Sequence, residues 1–377
     1  MKIDAPFYAN LSDAEKEAKR IQDIGFDGLY TLEGSWDPFL PLALAAEHAP
    51  LLDIATAVAI AFPRNPMHTA YQAWDLQKFS RGKFMLGLGS QIKTHIEKRF
   101  GTDFYRPASR MRDYIQALKS IFKCWQEGSR LDYHGEFYRH TLMTPMFNPG
   151  ENEFGVPPIT MGALGPKMTE VAGEVADGLI VHPFNNERFV RENTLPALEL
   201  GIEKSGRDRS DISLNVHAIV ITGESEEEIN DAKESVKKLL GFYGSTPAYL
   251  APMNSIGYGA LHFTSPSPGW PSSKSLTGRR LRSIASNIRA PSTHTFSGRE
   301  YTDSGSPFHS TTSAILPGSR LPVISPMPAV VAPLLPAVVA PCCCLDVASS
   351  RASVVEITAR CIGISATFIK LIFYPVF

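Results

Sequence analysis

Short runs of apolar and β-branched residues alternate with longer amphipathic stretches over the first 240 residues of the chain. The short runs are typical of buried β-strands, and apolar positions recurring every three to four residues are typical of helices. Regular alternation of the two predicts βα units around a parallel sheet. The predicted strands are Lys2–Tyr8, Asp27–Leu32, Asp53–Ile60, Lys83–Leu88, Pro158–Met161, Asp177–Val181 and Ile212–Ile221.

Helices are predicted between these strands. The clearest is Pro107–Glu127, whose apolar residues form one stripe that ends before Gly128. Ser12 and Glu15 have the spacing of a capping box and predict the start of the first helix. Residues Ser129–Val156 follow neither pattern, so they predict a loop-rich insertion.

The composition of the chain changes after about residue 260. Residues 261–377 contain 19 Ser and 13 of the 29 Pro, and only 4 acidic residues against 10 Lys and Arg. No strand or helix is predicted there, so the first strand should lack a partner on its outer side. Seven βα units are one short of a closed (β/α)₈ barrel. We therefore expect a barrel domain at residues 1–258 and a Ser/Pro-rich low-complexity tail at residues 259–377, disordered or translated out of frame.

Charge and motif searches exclude several functions. The net charge is −1, which favours neither nucleic acid nor an anionic membrane as a partner. No metal site is expected, because no Cys-x-x-Cys or His-Glu-x-x-His spacing occurs, and no Gly-x-Ser-x-Gly elbow suggests a serine hydrolase. A cytoplasmic location is expected, because no basic segment leads into an apolar one at the start of the chain.

Two glycine-containing turns are candidates for cofactor binding. Gly87, Gly89 and Ser90 end the fourth predicted strand, where a cofactor could approach the backbone, although a plain tight turn has the same pattern. Gly162–Lys167 lies between a strand and a helix. Free N–H groups and the Lys167 ammonium could hold a phosphate there, and an ordinary βα turn is the alternative.

Side chains with possible chemical roles follow the second and fourth predicted strands. Glu33, Trp36 and Asp37 lie at the carboxyl end of the second strand, which is the functional face of a (β/α)₈ barrel. Asp37 could equally cap the following helix. His95 follows the fourth strand on the same face and could donate a proton, or it could be structural.

Several segments together resemble the luciferase-like monooxygenase superfamily in residues, order and spacing. These segments are Gly25–Glu33, Arg64–Pro66, Phe79–Ser90 and Ala172–Leu179. Within the superfamily, three further segments are most similar to the branch that uses the deazaflavin coenzyme F420. They are Gln91–Gly101, Gly162–Met168 and Phe242–Tyr249.

The resemblance implies a (β/α)₈ TIM barrel of the luciferase-like type, often dimeric, with the cofactor ring at the carboxyl ends of the strands. It also implies a bulge in the third strand, sometimes with a non-prolyl cis peptide, which maps to Thr56–Ala59. The resemblance also assigns eleven residues to cofactor binding. They are Ala57, Val58, Ala59, Gly87, Gly89, Ser90, Gly162, Ala163, Gly165, Pro166 and Lys167.

The resemblance therefore predicts hydride transfer between coenzyme F420 and a small organic substrate, with Glu33, Trp36, Asp37 and His95 as catalytic candidates. An FMN-dependent monooxygenase on the same scaffold is the nearest alternative. A non-catalytic flavin-binding protein, or an incomplete and inactive barrel, is the other.

Overall fold

The computed structural model describes residues 2–221, 223 and 225–257, together with the backbone of strands Phe308–Ser313 and Ile372–Phe373. Apart from these two strands, the predicted tail lies outside the described residues. Contacts divide the chain into two compact units. Unit one contains Met1–His182, Arg191–His217 and Ser306–Thr311, and unit two contains the rest.

Parallel strands form the main sheet, in the order β1-β2-β3-β5-β8-β9-β10, with the short β4 also beside β5. The predicted α/β class with a parallel sheet is confirmed. The strands are β1 Lys2–Pro6, β2 Gly28–Thr31, β3 Asp53–Thr56, β4 Ala59–Ile60, β5 Phe84–Gly89, β6 Tyr133–His134, β7 Arg139–His140, β8 Ile159–Ala163, β9 Gly178–Val181, β10 Ser213–Ile221, β11 Phe308–Ser313 and β12 Ile372–Phe373.

Helices separate the parallel strands in the described part of the chain. They are α1 Ala14–Ile24, α2 Leu40–His48, α3 Pro66–Phe79, α4 Lys93–Lys98, α5 Pro107–Glu127, α6 Pro166–Val175, α7 Glu187–Phe189, α8 Leu195–Ser205, α9 Glu226–Gly244 and α10 Leu250–Ser255. A π-helical stretch, Val190–Thr194, lies between α7 and α8. No helix among the described residues is long and apolar enough to cross a membrane.

Helix α5 has the predicted bounds because its sequence specifies both ends. Pro107 occupies the first turn, where its missing N–H is harmless, and Gly128 takes a left-handed φ of 65° after the last turn. The predicted stripe is buried in the core, including Tyr114, Phe122 and Trp125. Within the predicted loop-rich insertion, β6 and β7 form an antiparallel hairpin that the sequence did not predict.

The predicted capping box at the start of α1 is wrong. The helix begins at Ala14, and its N-cap residue Asp13 has no side-chain cap. Asn10 serves this turn instead, because its Oδ1 accepts hydrogen bonds from the N–H groups of Ser12 and Asp13 at 2.8 and 3.1 Å. An Asn side chain forms such turns at least as well as Ser does.

Strand β11 corrects the expectation that β1 lacks an outer partner. It pairs in parallel with β1, with Lys2 opposite His309, Ile3 opposite Ser310 and Asp4 opposite Thr311. Its sequence, Phe-His-Ser-Thr-Thr-Ser, has no apolar alternation and therefore gave no strand signal. Backbone N–H and C=O groups are sufficient for such pairing.

Helices α6 and α8 pack closely because glycines lie at their crossing. A Cβ atom on Gly173 would come within 2.3 Å of the Leu198 carbonyl oxygen. A Cβ atom on Gly201 would come within 1.9 Å of the Glu170 carbonyl oxygen. Neither opposing atom belongs to a flexible side chain, so any larger residue must separate the helices.

Gly201→Ala should therefore destabilise the protein by about 1 to 3 kcal/mol, the usual cost of overpacking, despite the better helix propensity of Ala. Gly34→Ala is the matched control, because a Cβ atom there meets nothing within 4 Å. Urea unfolding followed by circular dichroism measures both variants. Equal stability of the two would contradict close packing at this crossing.

Candidate active site

The carboxyl edge of the sheet brings together most of the predicted site residues of unit one. Leu88 in β5 pairs with Met161 in β8, so the glycine-containing ends of these two strands are neighbours. Strand β4 pairs with the same end of β5, through Ala59 opposite Leu88. The third strand, the Gly87–Ser90 turn and the Gly162–Lys167 turn therefore meet at one place.

The third predicted strand is interrupted between Thr56 and Ala59. The peptide bond between Ala57 and Val58 is cis, and neither residue is Pro. The resemblance implied a bulge in this segment, sometimes with a non-prolyl cis peptide, and the structure has both features.

Three glycines of the neighbouring strands pack closely against this bulge. A Cβ atom on Gly87 would lie 1.8 Å from the Thr56 carbonyl oxygen, and one on Gly89 would lie 2.5 Å from Val58 Cγ2. A Cβ atom on Gly162 would lie 3.1 Å from Val58 Cγ1. The Thr56 hydroxyl also donates to the Gly87 carbonyl at 2.8 Å and accepts from the Gly87 N–H at 2.9 Å. These glycines therefore fix the position of Val58, and their contact with a cofactor stays a prediction.

Glu33 holds the bulge from the opposite side. Its backbone N–H donates to the Val58 carbonyl at 3.3 Å, and its Oε2 accepts from the Ile60 N–H at 2.7 Å. Arg64 Nη1 donates to the same Oε2 at 2.6 Å and to the Ile60 carbonyl at 2.9 Å. The Glu33 side chain is only 8% exposed. The backbone of Glu33 therefore contacts the bulge itself, and its carboxylate is held by Ile60 and Arg64, which follow the bulge.

Asp37 and Trp36 lie in the loop between β2 and α2. Asp37 Oδ1 accepts from the N–H groups of Phe39 and Leu40 at 2.8 and 3.0 Å, as in the capping alternative. Its Oδ2 lies 3.7 Å from Arg64 Nη2. Trp36 has no such anchor and is 58% exposed.

His95 lies on the short helix α4 and is half-buried. Burial lowers its pKa, and the nearby Arg99 lowers it further. Arg99 Nη2 also donates to the Gly34 carbonyl at 2.6 Å, which joins α4 to the loop that contains Trp36. The Ser90 hydroxyl donates to the Gln91 carbonyl at 3.1 Å.

The Gly162–Lys167 turn leads directly into α6. Gly165 is the N-cap residue, and its carbonyl accepts from the Met168 and Thr169 N–H groups. Lys167 is exposed and has no ion pair or hydrogen bond to any described residue. In the loops at residues 32–39, 61–65, 90–92 and 164–167, Lys167 is the one charged side chain of the described structure without such a partner.

Two histidines that the sequence analysis missed lie on the same side of the sheet. His217 is buried in β10, and its ring centroid lies 4.8 Å from that of Tyr30. His182 follows β9 directly, beside His217, because Val181 pairs with Val216. Burial lowers the pKa of His217 to about 4 and that of His182 to about 3, with His217 contributing to the latter. Strand alternation was the available signal, since His182 and His217 each continue an inward series through Ile180 and Asn215.

A cavity of about 200 Å³ lies at the other edge of the sheet. Its lining includes Lys2, Asp53 and Lys83. Lys2 pairs with Asp53, and the Lys83 ammonium donates to the Pro50 and Leu51 carbonyls, so these charges are already compensated. The amino ends of barrel strands are mainly structural, and we do not place the active site there.

A parallel sheet with glycines and polar side chains at its carboxyl edge defines an enzyme scaffold of the (β/α)-barrel class. Residues 4–283 match the family model for luciferase-like monooxygenases. This protein belongs to the luciferase-like monooxygenase family, a family of oxidoreductases. The predicted family and the predicted luciferase-like barrel type are confirmed. The match extends beyond residue 258, where the sequence resemblance was placed to end.

Two relatives illustrate the range of similarity. The chain is 45% identical over 262 residues to an uncharacterized protein of Mycobacterium tuberculosis, covering 70% of this chain and 77% of the relative. It is 25% identical over 256 residues to a 5,10-methylenetetrahydromethanopterin reductase of Archaeoglobus fulgidus, covering 66% of this chain and 73% of the relative.

Two solved structures share the fold. One is the coenzyme F420-dependent tetrahydromethanopterin reductase from Methanopyrus kandleri, with a TM-score of 0.54, 20% identity and coverage of 68% of this chain and 74% of that one. The other is the oxygenating constituent of 3,6-diketocamphane monooxygenase from Pseudomonas putida in complex with FMN. Its TM-score is 0.52 and its identity 14%, with coverage of 68% of this chain and 79% of that one.

Glu33→Ala should destabilise the protein by about 3 kcal/mol, because the guanidinium of Arg64, only 17% exposed, loses its close carboxylate and keeps only that of Asp37 at 3.7 Å. The Ile60 N–H also loses its acceptor. Glu15→Ala is the control, since Glu15 forms an exposed pair with Lys19 and its removal should change stability little. Denaturant unfolding compares the two, and a larger loss for Glu15→Ala would contradict the bracing role of Glu33.

The buried imidazole of His217 should make stability depend on pH. Its folded pKa of about 4 lies below the unfolded value of 6.5, so between these values the unfolded chain binds more protons. Stability is then full above pH 6.5 and falls as the pH drops toward 4, by up to about 3 kcal/mol at 1.4 kcal/mol per pKa unit.

Thermal unfolding across this range should show a shallower pH slope for His217→Gln than for the unaltered protein. His68→Gln, at an exposed position on α3, should keep the original slope. An unchanged slope in His217→Gln would count against a neutral buried imidazole.

Proposed function

We propose that this protein is an oxidoreductase that transfers a hydride between coenzyme F420 and a small organic substrate. The observation that carries the proposal is the uncompensated Lys167 at the glycine turn before α6, on the same sheet edge as the Val58 bulge. A cofactor that consists of a ring and a phosphate-bearing chain requires an apolar surface against the ring and a cation near the phosphate.

The residues present fit such a cofactor. Gly89 and Gly162 make room for the side chain of Val58, which is half-buried at this edge, so a flat ring bound here would meet Val58. Lys167 and its backbone N–H, which has no intrahelical acceptor, would hold a phosphate. Gly165 and Pro166 shape this turn, and Ala163 precedes it as a buried strand residue.

When bound, coenzyme F420 supplies the hydride-accepting or hydride-donating ring carbon. The chain would contribute orientation of the ring, exclusion of water and the handling of protons. Val58, held by Thr56 and Glu33, would fix one face of the ring. His95 and Trp36 remain the proposed catalytic candidates, whereas Glu33 and Asp37 are better suited to positioning because their carboxylates have structural partners.

The names of two relatives support coenzyme F420, because the Methanopyrus kandleri reductase is described as dependent on it and the Archaeoglobus fulgidus reductase carries the same type of activity name. The Pseudomonas putida protein, solved with FMN, supports the alternative of an FMN-dependent monooxygenase. A non-catalytic or inactive barrel is the remaining alternative. A cytoplasmic location and a homodimer stay predictions.

Lys167→Ala should weaken coenzyme F420 binding by about 1 to 3 kcal/mol, the range of a charge-assisted hydrogen bond. Stability should barely change, because the Lys167 side chain has no partner among the described residues to lose. Titration of the protein into the cofactor, followed by cofactor fluorescence, gives the dissociation constant.

Lys16→Ala is the control, since Lys16 is an exposed lysine on the outer helix α1. It should bind the cofactor as the unaltered protein does. Tighter binding of FMN than of coenzyme F420 would favour the monooxygenase alternative. Unchanged affinity in Lys167→Ala would remove the phosphate role, and binding of neither cofactor would reject the proposed function.

A further inference from the structure

We propose that Arg110 is a positioning residue for the candidate active site, and that it couples the β6–β7 hairpin to the loop that carries Arg64. This loop, at residues 61–65, follows the Val58 bulge and leads into α3. The effect of Arg110 on the loop is a property of the protein alone. Its effect on cofactor affinity rests on the proposed function.

Arg110 lies near the start of α5 and is half-buried. Its guanidinium donates to oxygens of three separate segments. Nε donates to the Tyr138 hydroxyl at 2.9 Å, Nη1 to the Asp103 carbonyl at 2.7 Å and Nη2 to the Phe62 carbonyl at 3.1 Å. These segments are the hairpin, the chain between α4 and α5, and the loop at residues 61–65. One side chain therefore joins segments that are distant in sequence.

Phe62 is held by its ring as well as by its carbonyl. The residue is only 2% exposed. The guanidinium carbon of Arg110 lies 4.5 Å from the centroid of the Phe62 ring, and the ring of Phe104 meets it edge-on at 5.9 Å. A guanidinium can stack on an aromatic face while its N–H groups donate within its own plane. Arg110 therefore restrains both the main chain and the side chain of Phe62.

The loop connects this restraint to the bulge. The Arg64 N–H donates to the Ala61 carbonyl at 2.9 Å, which makes the loop a short turn. The Arg64 guanidinium then donates to the Ile60 carbonyl and to Glu33 Oε2. The backbone of Glu33 in turn donates to the Val58 carbonyl. A displaced loop would therefore move Arg64 and weaken the support of Val58.

The shape of the guanidinium matters more here than its charge. Arg110 forms no ion pair with any residue that the structure describes, and its three acceptors are uncharged oxygens. A lysine ammonium has the same charge, but it lacks the planar fork that reaches three acceptors and stacks on a ring. We therefore expect that Lys cannot replace Arg110.

Hydrogen exchange followed by mass spectrometry tests the coupling on the full chain without a ligand. The reporters are the amides of Ile60, Ala61 and Arg64, because each donates a hydrogen bond. Arg110→Gln should speed their exchange about tenfold, the scale of the lost hydrogen bonds, and should leave exchange in α8 unchanged. Arg110→Lys should behave like Arg110→Gln.

Arg106→Gln is the matched control. Arg106 lies one turn before Arg110 and holds the same hairpin through its ion pair with Glu136. Its side chain bonds to Glu136 and Ser109, and to no residue of the described loop at 61–65. Arg106→Gln should therefore leave exchange of the three reporter amides unchanged.

Tyr138→Phe is a milder variant, because it removes a single oxygen from the hairpin. The loss of one acceptor should speed exchange of the reporter amides by about two- to fivefold. This variant decides the question if Arg110→Gln does not fold, since unchanged exchange in Tyr138→Phe would then overturn the coupling.

Three results with the Arg110 variants would overturn the proposal. The first is unchanged exchange of the reporter amides in Arg110→Gln. The second is equal acceleration in α8, which would indicate a general loss of stability instead of a local role. The third is normal exchange in Arg110→Lys, which would show that the charge alone is sufficient.

Cofactor affinity is the second measurement. With Val58 less firmly held, Arg110→Gln should weaken binding of coenzyme F420 by about two- to tenfold, as is typical of residues that act through a network of contacts. Arg106→Gln should bind it normally, and equal affinities of these two variants would overturn the positioning role at the cofactor site. Failure of the unaltered protein to bind coenzyme F420 or FMN would reject the proposed function, whereas the exchange results would still decide the coupling.

Discussion

The close approach of Thr56 to Gly87 is the constraint on which the site depends. The Thr56 hydroxyl makes two hydrogen bonds to the Gly87 backbone, and there is no space for a Cβ atom between the two strands. The third strand is therefore fixed against β5 immediately before its bulge. From the other side, Glu33 contacts the carbonyl of Val58 and the N–H of Ile60. Val58 is thus held between two strands rather than on a free loop, and a rigid support of this kind suits a binding site.

This constraint changes the interpretation of the acidic residues at the carboxyl edge. Carboxylates at the ends of barrel strands are ordinary candidates for catalysis. Here the lone pairs of Glu33 and Asp37 are engaged by N–H groups and by Arg64. Groups that act on a substrate must be able to exchange partners, which the buried carboxylate of Glu33 does only at a large cost. The chemistry is therefore better sought in the indole and imidazole groups of the same edge.

The sequence predicted those parts of the molecule that local signals determine. Helix α5 was predicted to the residue because proline and glycine mark its ends, and the bulge followed from the family resemblance. The structural partners of Glu33 were not predicted, because Arg64 is 31 residues away and no local pattern joins the two. Strand β11 was missed for the same reason, since its pairing with β1 depends on backbone groups far apart in the chain. His182 and His217 were not identified because no motif marks a single histidine within or beside an apolar strand.

Neutrality of the two buried histidines follows from the architecture rather than from any one residue. A parallel barrel sheet is covered by helices, so its inward side chains are far from water, and a histidine placed there loses its charge. His217 is neutral in the folded protein for this reason, and its neighbour His182 is neutral because it shares the same surroundings. In the described loops at residues 32–39, 61–65, 90–92 and 164–167, Arg64 compensates the carboxylates of Glu33 and Asp37. Lys167 is then the one charged side chain of these loops without a compensating partner. A ligand with a charged chain and an uncharged reactive end would match this arrangement, because its charge would lie at the turn before α6 and its neutral part over Val58.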